Sequence, residues 1–283
     1  MGAASDGGYC PSCGLRRPDG SERVEADLGV IAGVSDRGRV HARNEDAMAI
    51  GYLAAPGPDT TLAAVVCDGV STVHDPERAS RAAADTALDV LLAAQGPDDA
   101  QERVREAVAA AASAVAALAF EGDANAPSCT LVCALVRKPD GEPPEVTVGW
   151  VGDSRAYWLA EEEAPQPARL LTIDHSWAVQ MVAAGLLDVD TAMADPQAHA
   201  ITRWLGVDGV PDPDVAVLHP VGPGALLLCS DGLWNYRPHP AGLSALALPV
   251  IGHGGPLEAA ATLTAIALDA GGHDNITAVL IPI

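Results

Sequence analysis

The fold turns on "ALLLCSDGLWN", residues 225–235. Four apolar residues in a row, Leu226 to Cys229, belong deep in a core, yet the run halts at a carboxylate and a glycine, Asp231-Gly232. "TLAAVVCDGV" (61–70) repeats the pattern, an apolar run closed by Asp68-Gly69. Both read as buried strands, each with an acidic group mounted on its end.

Working outward, strands are predicted over 28–34, 46–54, 61–67, 129–137, 145–151, 155–160, 215–220, 225–230 and 275–283. Helices fall between them. Over 76–95, Ala79, Ala83, Ala87, Val90, Leu91 and Ala94 share one face, and Gly96-Pro97 stops the run. Over 98–120, Val104, Val108, Ala112, Val115 and Ala119 recur at helical spacing, with acidic residues at the start as the helix dipole favours. Short helices are expected within 175–200, and one more over 256–270. Clusters of strands interrupted by pairs of helices are neither strict βαβ alternation nor all-β, and they point to an α+β fold. Residues 1–26, rich in Gly, Ser, Asp and Pro, read as a flexible tail ahead of one domain over 27–283.

Composition narrows the function. The net charge is −22, with one lysine, Lys138, beside fifteen arginines. Nucleic acid demands clustered basic residues, so it is excluded as a partner, whereas cations suit such a chain. No apolar run approaches the roughly 18 residues that span a bilayer. "MGAASDGGYC" lacks the basic start and apolar stretch of a signal peptide, so a cytoplasmic protein is expected. Cys67, Cys129, Cys133 and Cys229 sit in or at the end of apolar runs and read as reduced core residues. Cys10 and Cys13 form a single CxxC, which supplies only half the ligands of a structural zinc site.

The acidic residues at strand ends carry the chemistry. Besides Asp68 and Asp231, Asp46 precedes a strand, Asp153 lies in a turn between two strands ("VGDSRAYW"), and Asp274 lies just before the last strand. One Asp-Gly is only a turn signal. Five aspartates in these contexts are more, because carboxylates gathered together raise each other's pKa unless something positive sits between them. Mg²⁺ or Mn²⁺ answers that need with a few carboxylates, a backbone carbonyl and water, and glycine after aspartate lets the backbone approach an ion. Two such ions about 3.5–4 Å apart share and activate a water.

In order along the chain, "SDRGRVHARNEDA" (35–47), "VVCDGVST" (65–72), "SCTLVCALV" (128–136), "VGDSRAYW" (151–158), "LTIDHS" (171–176), "ITRWLG" (201–206), "LLLCSDGLW" (226–234) and "HDNITAVL" (273–280) resemble the motifs of the metal-dependent protein serine/threonine phosphatases of type 2C, in particular their compact bacterial branch. The resemblance implies two antiparallel sheets packed as a sandwich with helices outside both, an α-β-β-α arrangement. It implies two Mn²⁺ or Mg²⁺ ions, with Asp68 bridging both and the Gly69 carbonyl on one. Asp231 and Asp274 would hold the other ion, Asp46 would act largely through bound water, and Asp153 would serve a third, weaker ion. A metal-bridging hydroxide would attack phosphoserine or phosphothreonine in proteins in line, with no phosphoenzyme. Phosphorylated proteins would be the partners, opposite a serine/threonine kinase.

The chain departs from that pattern at two places. Where the family usually carries an arginine to grip phosphate, this sequence has His41. Arg39 and Arg43 flank it at two-residue spacing and share its face in an extended segment. His41 with Arg43 is the expected phosphate contact; the plainer alternative is an exposed histidine beside a surface ion pair. Val70 stands where many eukaryotic relatives have the histidine proposed as leaving-group acid, so that proton would come from metal-bound water or from another group, with His41 and His74 as candidates and a plain surface histidine the favoured reading of His74. His175 reads as structural, at a helix start capped by Asp174 or Ser176. Residues 175–205 correspond to a flap beside the site in bacterial relatives.

Other phosphotransfer chemistries leave marks that are missing: there is no Gly-x4-Gly-Lys-Ser/Thr loop, no Asp-x-Asp at a strand end and no Gly-x-Ser-x-Gly elbow. The rival from another class is a phosphatase-fold protein that binds phosphoproteins or a regulatory partner without hydrolysing them. Retention of every core aspartate favours catalysis.

Overall fold

In the computed structural model, which describes residues 22–54, 60–94 and 99–283, the chain runs β1 (Arg23–Asp27), β2 (Ala32–Asp36), β3 (Ala47–Ala54), β4 (Thr60–Cys67), α1 (Pro76–Leu91), α2 (Ala100–Ala116), β5 (Leu131–Lys138), β6 (Glu145–Val151), β7 (Arg155–Leu159), β8 (Arg169–Leu170), α3 (Trp177–Ala183), α4 (Val189–Met193), β9 (Asp214–Leu218), β10 (Ala225–Cys229), α5 (Asp231–Trp234), α6 (Pro240–Asp269) and β11 (Ile276–Pro282). The strands form a five-stranded sheet, β3-β4-β5-β6-β9, and a six-stranded sheet, β1-β2-β11-β10-β7-β8. Every paired neighbour is antiparallel. The α+β sandwich expected from the sequence is the observed fold.

Why the central strands are apolar throughout follows from the layers. A strand turns alternate side chains to opposite faces. In β4, Leu62, Ala64 and Val66 face the other sheet, while Ala63, Val65 and Cys67 face α1 and α2. In β10, Leu226 and Leu228 face the first sheet, while Ala225, Leu227 and Cys229 face α6. Each strand is covered on both sides, so neither parity can be polar. The result is three stacked cores in an α-β-β-α order.

Small residues set the outer layers. α1 presents Ala79, Ala83 and Ala87, and α2 presents Val104, Ala107, Val108, Ala111 and Val115, all fully buried against the first sheet. Asp99 caps α2 by accepting the Glu102 N–H at 2.9 Å. The four cysteines expected in the core are buried and unpaired, and burial pushes the Cys133 thiol up to about 12, which keeps it protonated and inert. Among the described residues, no helix is long and apolar enough to cross a membrane.

Several boundaries differ from the sequence reading. The strand expected over 28–34 is a hairpin: β1 pairs with β2 from Arg23↔Asp36 to Asp27↔Ala32, and 28–31 turns between them. The charged alternation of "RVEAD" is that of an exposed edge strand, which looks like a tail when read alone. The helix expected over 256–270 starts earlier: α6 begins at Pro240 and is interrupted only at Gly255 (φ 81°). Pro249 and several glycines hide it from propensity, and burial of Leu243 and Ala247 overrides them. Cys10 and Cys13 lie outside the described residues.

Candidate metal centre

Strand register gathers the acids at one end of the sandwich. Ala47 lies opposite Cys67, so Asp46 and Asp68, one step beyond, leave the first sheet side by side. Cys229 lies between Ala278 and Arg155, which brings Asp231, Asp274 and Asp153 out of the second sheet and the β6–β7 turn together. Glycine closes the seams between these ends. A Cβ on Gly69 would fall 2.7 Å from the Glu45 carbonyl oxygen, and one on Gly232 only 1.9 Å from that of Asn275. No side chain fits there, so each Asp-Gly packs its strand end directly on the segment carrying the next aspartate.

The five carboxylates feel one another. Burial first, then the charges of Asp231 and Asp274, push Asp46 up to about 7 against the pull of the Thr277 and Ser230 hydroxyls. Burial and Asp274 push Asp231 up to about 6. Asp68 is held well above the usual carboxylate range by burial and then by Asp46, Asp231, Asp153 and Asp274. Asp153 is raised by burial, Asp231 and Asp174, with Arg155 opposing. Asn235 Nδ2 donates to Asp231 Oδ2 at 3.2 Å, while the other carboxylate oxygen of Asp231 is buried without a partner.

The surroundings fix these side chains through hydrogen bonds the sequence reading missed. Ser230 and Thr277 hydroxyls each donate to Asp46 Oδ2 at 2.7 Å, and Ser35 Oγ lies 2.8 Å from Thr277 Oγ1. Thr130 donates its N–H to the Asp68 carbonyl at 2.8 Å. Buried Asn275 donates from Nδ2 to the carbonyls of Arg37 (2.7 Å) and Arg43 (3.0 Å) and accepts the Glu45 N–H at 2.7 Å. One amide thus holds the whole 37–45 loop against Asp274. On the far side, Arg155 grips Asp174 with Nε and Nη2 at 2.9 and 2.7 Å and stacks on Trp234, whose indole N–H donates to the Asp153 carbonyl.

The two residues expected to meet phosphate part company. His41 turns into the cluster, with Nε2 3.3 Å from Asp274 Oδ1 and Nδ1 3.9 Å from Glu45 Oε2. Arg37 donates to the His41 carbonyl and steadies the loop. Arg43 instead points to α1, where it pairs with Glu77 at 2.8 Å. His74 is exposed. His175 is structural: the Gly152 N–H donates to its Nδ1 at 3.1 Å, so Nε2 carries the proton toward Asp214. Neither expected cap bond at this helix start forms; Ser176 makes no side-chain cap and Asp174 is taken by Arg155. His199, not singled out from sequence, lies exposed after α4 with its ring 5.9 Å from that of Trp234.

Among the described residues, no three His, Cys, Asp or Glu side chains already surround one point as a metal group would. The donor set nevertheless fits divalent cations. Asp46 Oδ1 and Asp231 Oδ1 are buried acceptors without a partner, in a cluster with more negative charge than it can hold. Hard cations need only one or two carboxylates each, with water and carbonyl oxygens filling the remaining positions.

A family model described as Protein phosphatase 2C matches residues 37–266. The chain belongs to the protein phosphatase 2C family. Asp46, Asp68, Asp153 and Asp231 fall inside the matched span, and the register of β11 adds Asp274 from beyond it. The chain is 31% identical over 215 residues to "Serine/threonine phosphatase stp" of Listeria welshimeri, covering 72% of this chain and 77% of that protein. It is 29% identical over 254 residues to "Serine/threonine protein phosphatase PstP" of Mycobacterium tuberculosis, covering 87% of this chain and 43% of that longer protein. The solved structure of serine/threonine phosphatase Stp1 from Staphylococcus aureus superposes with a TM-score of 0.74 at 27% identity, over 91% of this chain and 96% of that one. Within this protein phosphatase 2C member, the strand-end aspartates and their hydroxyl and amide supports form one connected unit.

Proposed function

We propose that this chain hydrolyses phosphoserine and phosphothreonine in proteins at the aspartate cluster, with Mn²⁺ or Mg²⁺ as cofactor. The broader statement rests on family and relatives together: it is a protein serine/threonine phosphatase. The observation that carries the finer reading is the pair of unpartnered buried carboxylate oxygens, on Asp46 and Asp231, inside a cluster of like charges.

On this reading Asp46, Asp68, Asp231 and Asp274, with the Gly69 carbonyl, would hold two ions, and Asp153 would serve a third, weaker one. Bound there, the ions would supply an activated water and offset charge on the phosphoryl oxygens. The protein's own part is orientation. Ser230 and Thr277 present Asp46 with one oxygen committed and the other free. Asn275 sets the loop on which His41 faces the cluster, placed to meet the phosphate edge and, when protonated, to hand a proton to the leaving alkoxide. Arg43 joins the phosphate contact once it leaves Glu77. With water as nucleophile, phosphate leaves without a covalent enzyme intermediate. The natural setting is a cytoplasmic pairing with a serine/threonine kinase.

The test is phosphate release from a phosphothreonine peptide with Mn²⁺, with Mg²⁺ and with a chelator, alongside Asp231→Asn. Turnover should require metal and be lost in the variant. Turnover that survives both the chelator and the substitution would overturn the reading.

A further inference from the structure

A cleft of about 290 Å³ opens beside the aspartate cluster, with an apolar side made by Val70, Val73, Ile201, Trp204 and Val207 and a polar rim that includes Thr72, Asn125, Ser128 and Asp208. Its walls are built into the sheet framework. The Val70 N–H donates to the Ser128 carbonyl at 3.0 Å, and Cys129 and Leu205 exchange backbone hydrogen bonds at 3.0 and 2.8 Å. Gly69 bridges to Cys129 in the same ladder, so the cleft and Asp68 share one backbone scaffold. Val70 follows Asp68 by two residues, at most about 7 Å of chain.

The lining selects the occupant. Among the described residues no lysine, arginine or histidine lines the cleft, which disfavours phosphate there, and Asp208 repels an acidic side chain. The volume lies at the lower edge of the roughly 300–1,000 Å³ of drug-sized sites and suits one or two amino-acid side chains. Val207, more than half exposed, extends the apolar surface outward from Trp204.

We propose that this cleft receives one apolar side chain of the phosphorylated polypeptide, within about four residues of the phosphorylated position, with Trp204 as its floor. The inference rests on the protein-phosphatase reading above and names a substrate feature that reading leaves open. An extended peptide with its phosphate at the aspartates passes the cleft after two or three residues. An apolar residue there gains burial that a polar one does not.

The experiment compares kcat/KM on phosphothreonine peptides carrying leucine or asparagine at each position from −4 to +4, and on para-nitrophenyl phosphate, which is too small to reach the cleft. Wild type should prefer leucine at one position by about 10-fold, and Trp204→Ala and Val207→Asp should each cut that preference to about twofold while leaving para-nitrophenyl phosphate turnover within about twofold. If Trp204→Ala lowers both activities through misfolding, Val207→Asp on the exposed rim decides alone. Absence of any leucine preference in wild type, or a preference intact in Val207→Asp, overturns the inference while leaving the phosphatase reading in place. Turnover of para-nitrophenyl phosphate but of no phosphopeptide overturns the protein-substrate reading and takes this inference with it.

Discussion

Asn275→Ala isolates the part of the site that holds no metal and touches no substrate. The side chain is 2% exposed and makes three hydrogen bonds, all to backbone groups of the 37–45 loop. A neutral hydrogen bond contributes about 1 kcal/mol net, so losing three costs about 3 kcal/mol, and at about 2–4 °C per kcal/mol the melting temperature drops by roughly 6–12 °C. Kinetics should move as well. The loop carries His41 to within 3.3 Å of Asp274, and loosening such supporting contacts costs on the order of 10–100-fold in kcat/KM. Differential scanning calorimetry and steady-state phosphate release read the two effects separately. A variant that melts within about 2 °C of wild type with unchanged kcat/KM would refute the claim that one amide organises the loop.

Two further outcomes follow from the same geometry. In chelator, stability should fall as pH rises, because Asp46 (about 7) and Asp231 (about 6) are lifted above their ordinary 3.8. Groups raised in the folded state favour it fully below their unfolded pKa, and that benefit is lost as pH climbs through the folded value. Melting temperature in chelator should therefore decline between about pH 4 and pH 7, and Mn²⁺ should restore it near neutrality; a flat or rising profile contradicts this. Thr277→Val removes one of the two hydroxyls on Asp46 Oδ2 at nearly constant shape and should weaken Mn²⁺ binding by about 10–100-fold in a direct titration. Unchanged affinity would mean that Asp46 needs no such support.

The buried central strands and the α+β class were legible from the residues themselves, while the sandwich arrangement came with the family resemblance. "LAAVVC" and "ALLLC" have no polar parity at all, which in an antiparallel sheet requires cover above and below. The five aspartates were legible for the same reason, since each interrupts or borders such a strand. What escaped was whatever depends on a partner distant in sequence. Thr277 looks like one more β-branched residue on a strand, and only its position across from Ser230 turns it toward Asp46. Asn275 looks like a turn residue, yet its three partners lie more than 200 positions away. The two-residue spacing of His41 and Arg43 implied a shared face, but the loop is not a regular strand, and Glu77 on α1 draws Arg43 aside. The 240–254 helix was hidden by its own proline and glycines, because propensity is a local signal and burial of Leu243 is not.

The central claim is that the aspartates on the strand ends are held there to bind divalent metal. Anomalous scattering from crystals grown with Mn²⁺ tests it most directly. The account predicts strong peaks within coordination distance of Asp46, Asp68, Asp231 and Asp274, with the unpartnered oxygens of Asp46 and Asp231 facing them directly or through water. Saturating Mn²⁺ that leaves no peak among these four residues, in protein that releases phosphate, would contradict it.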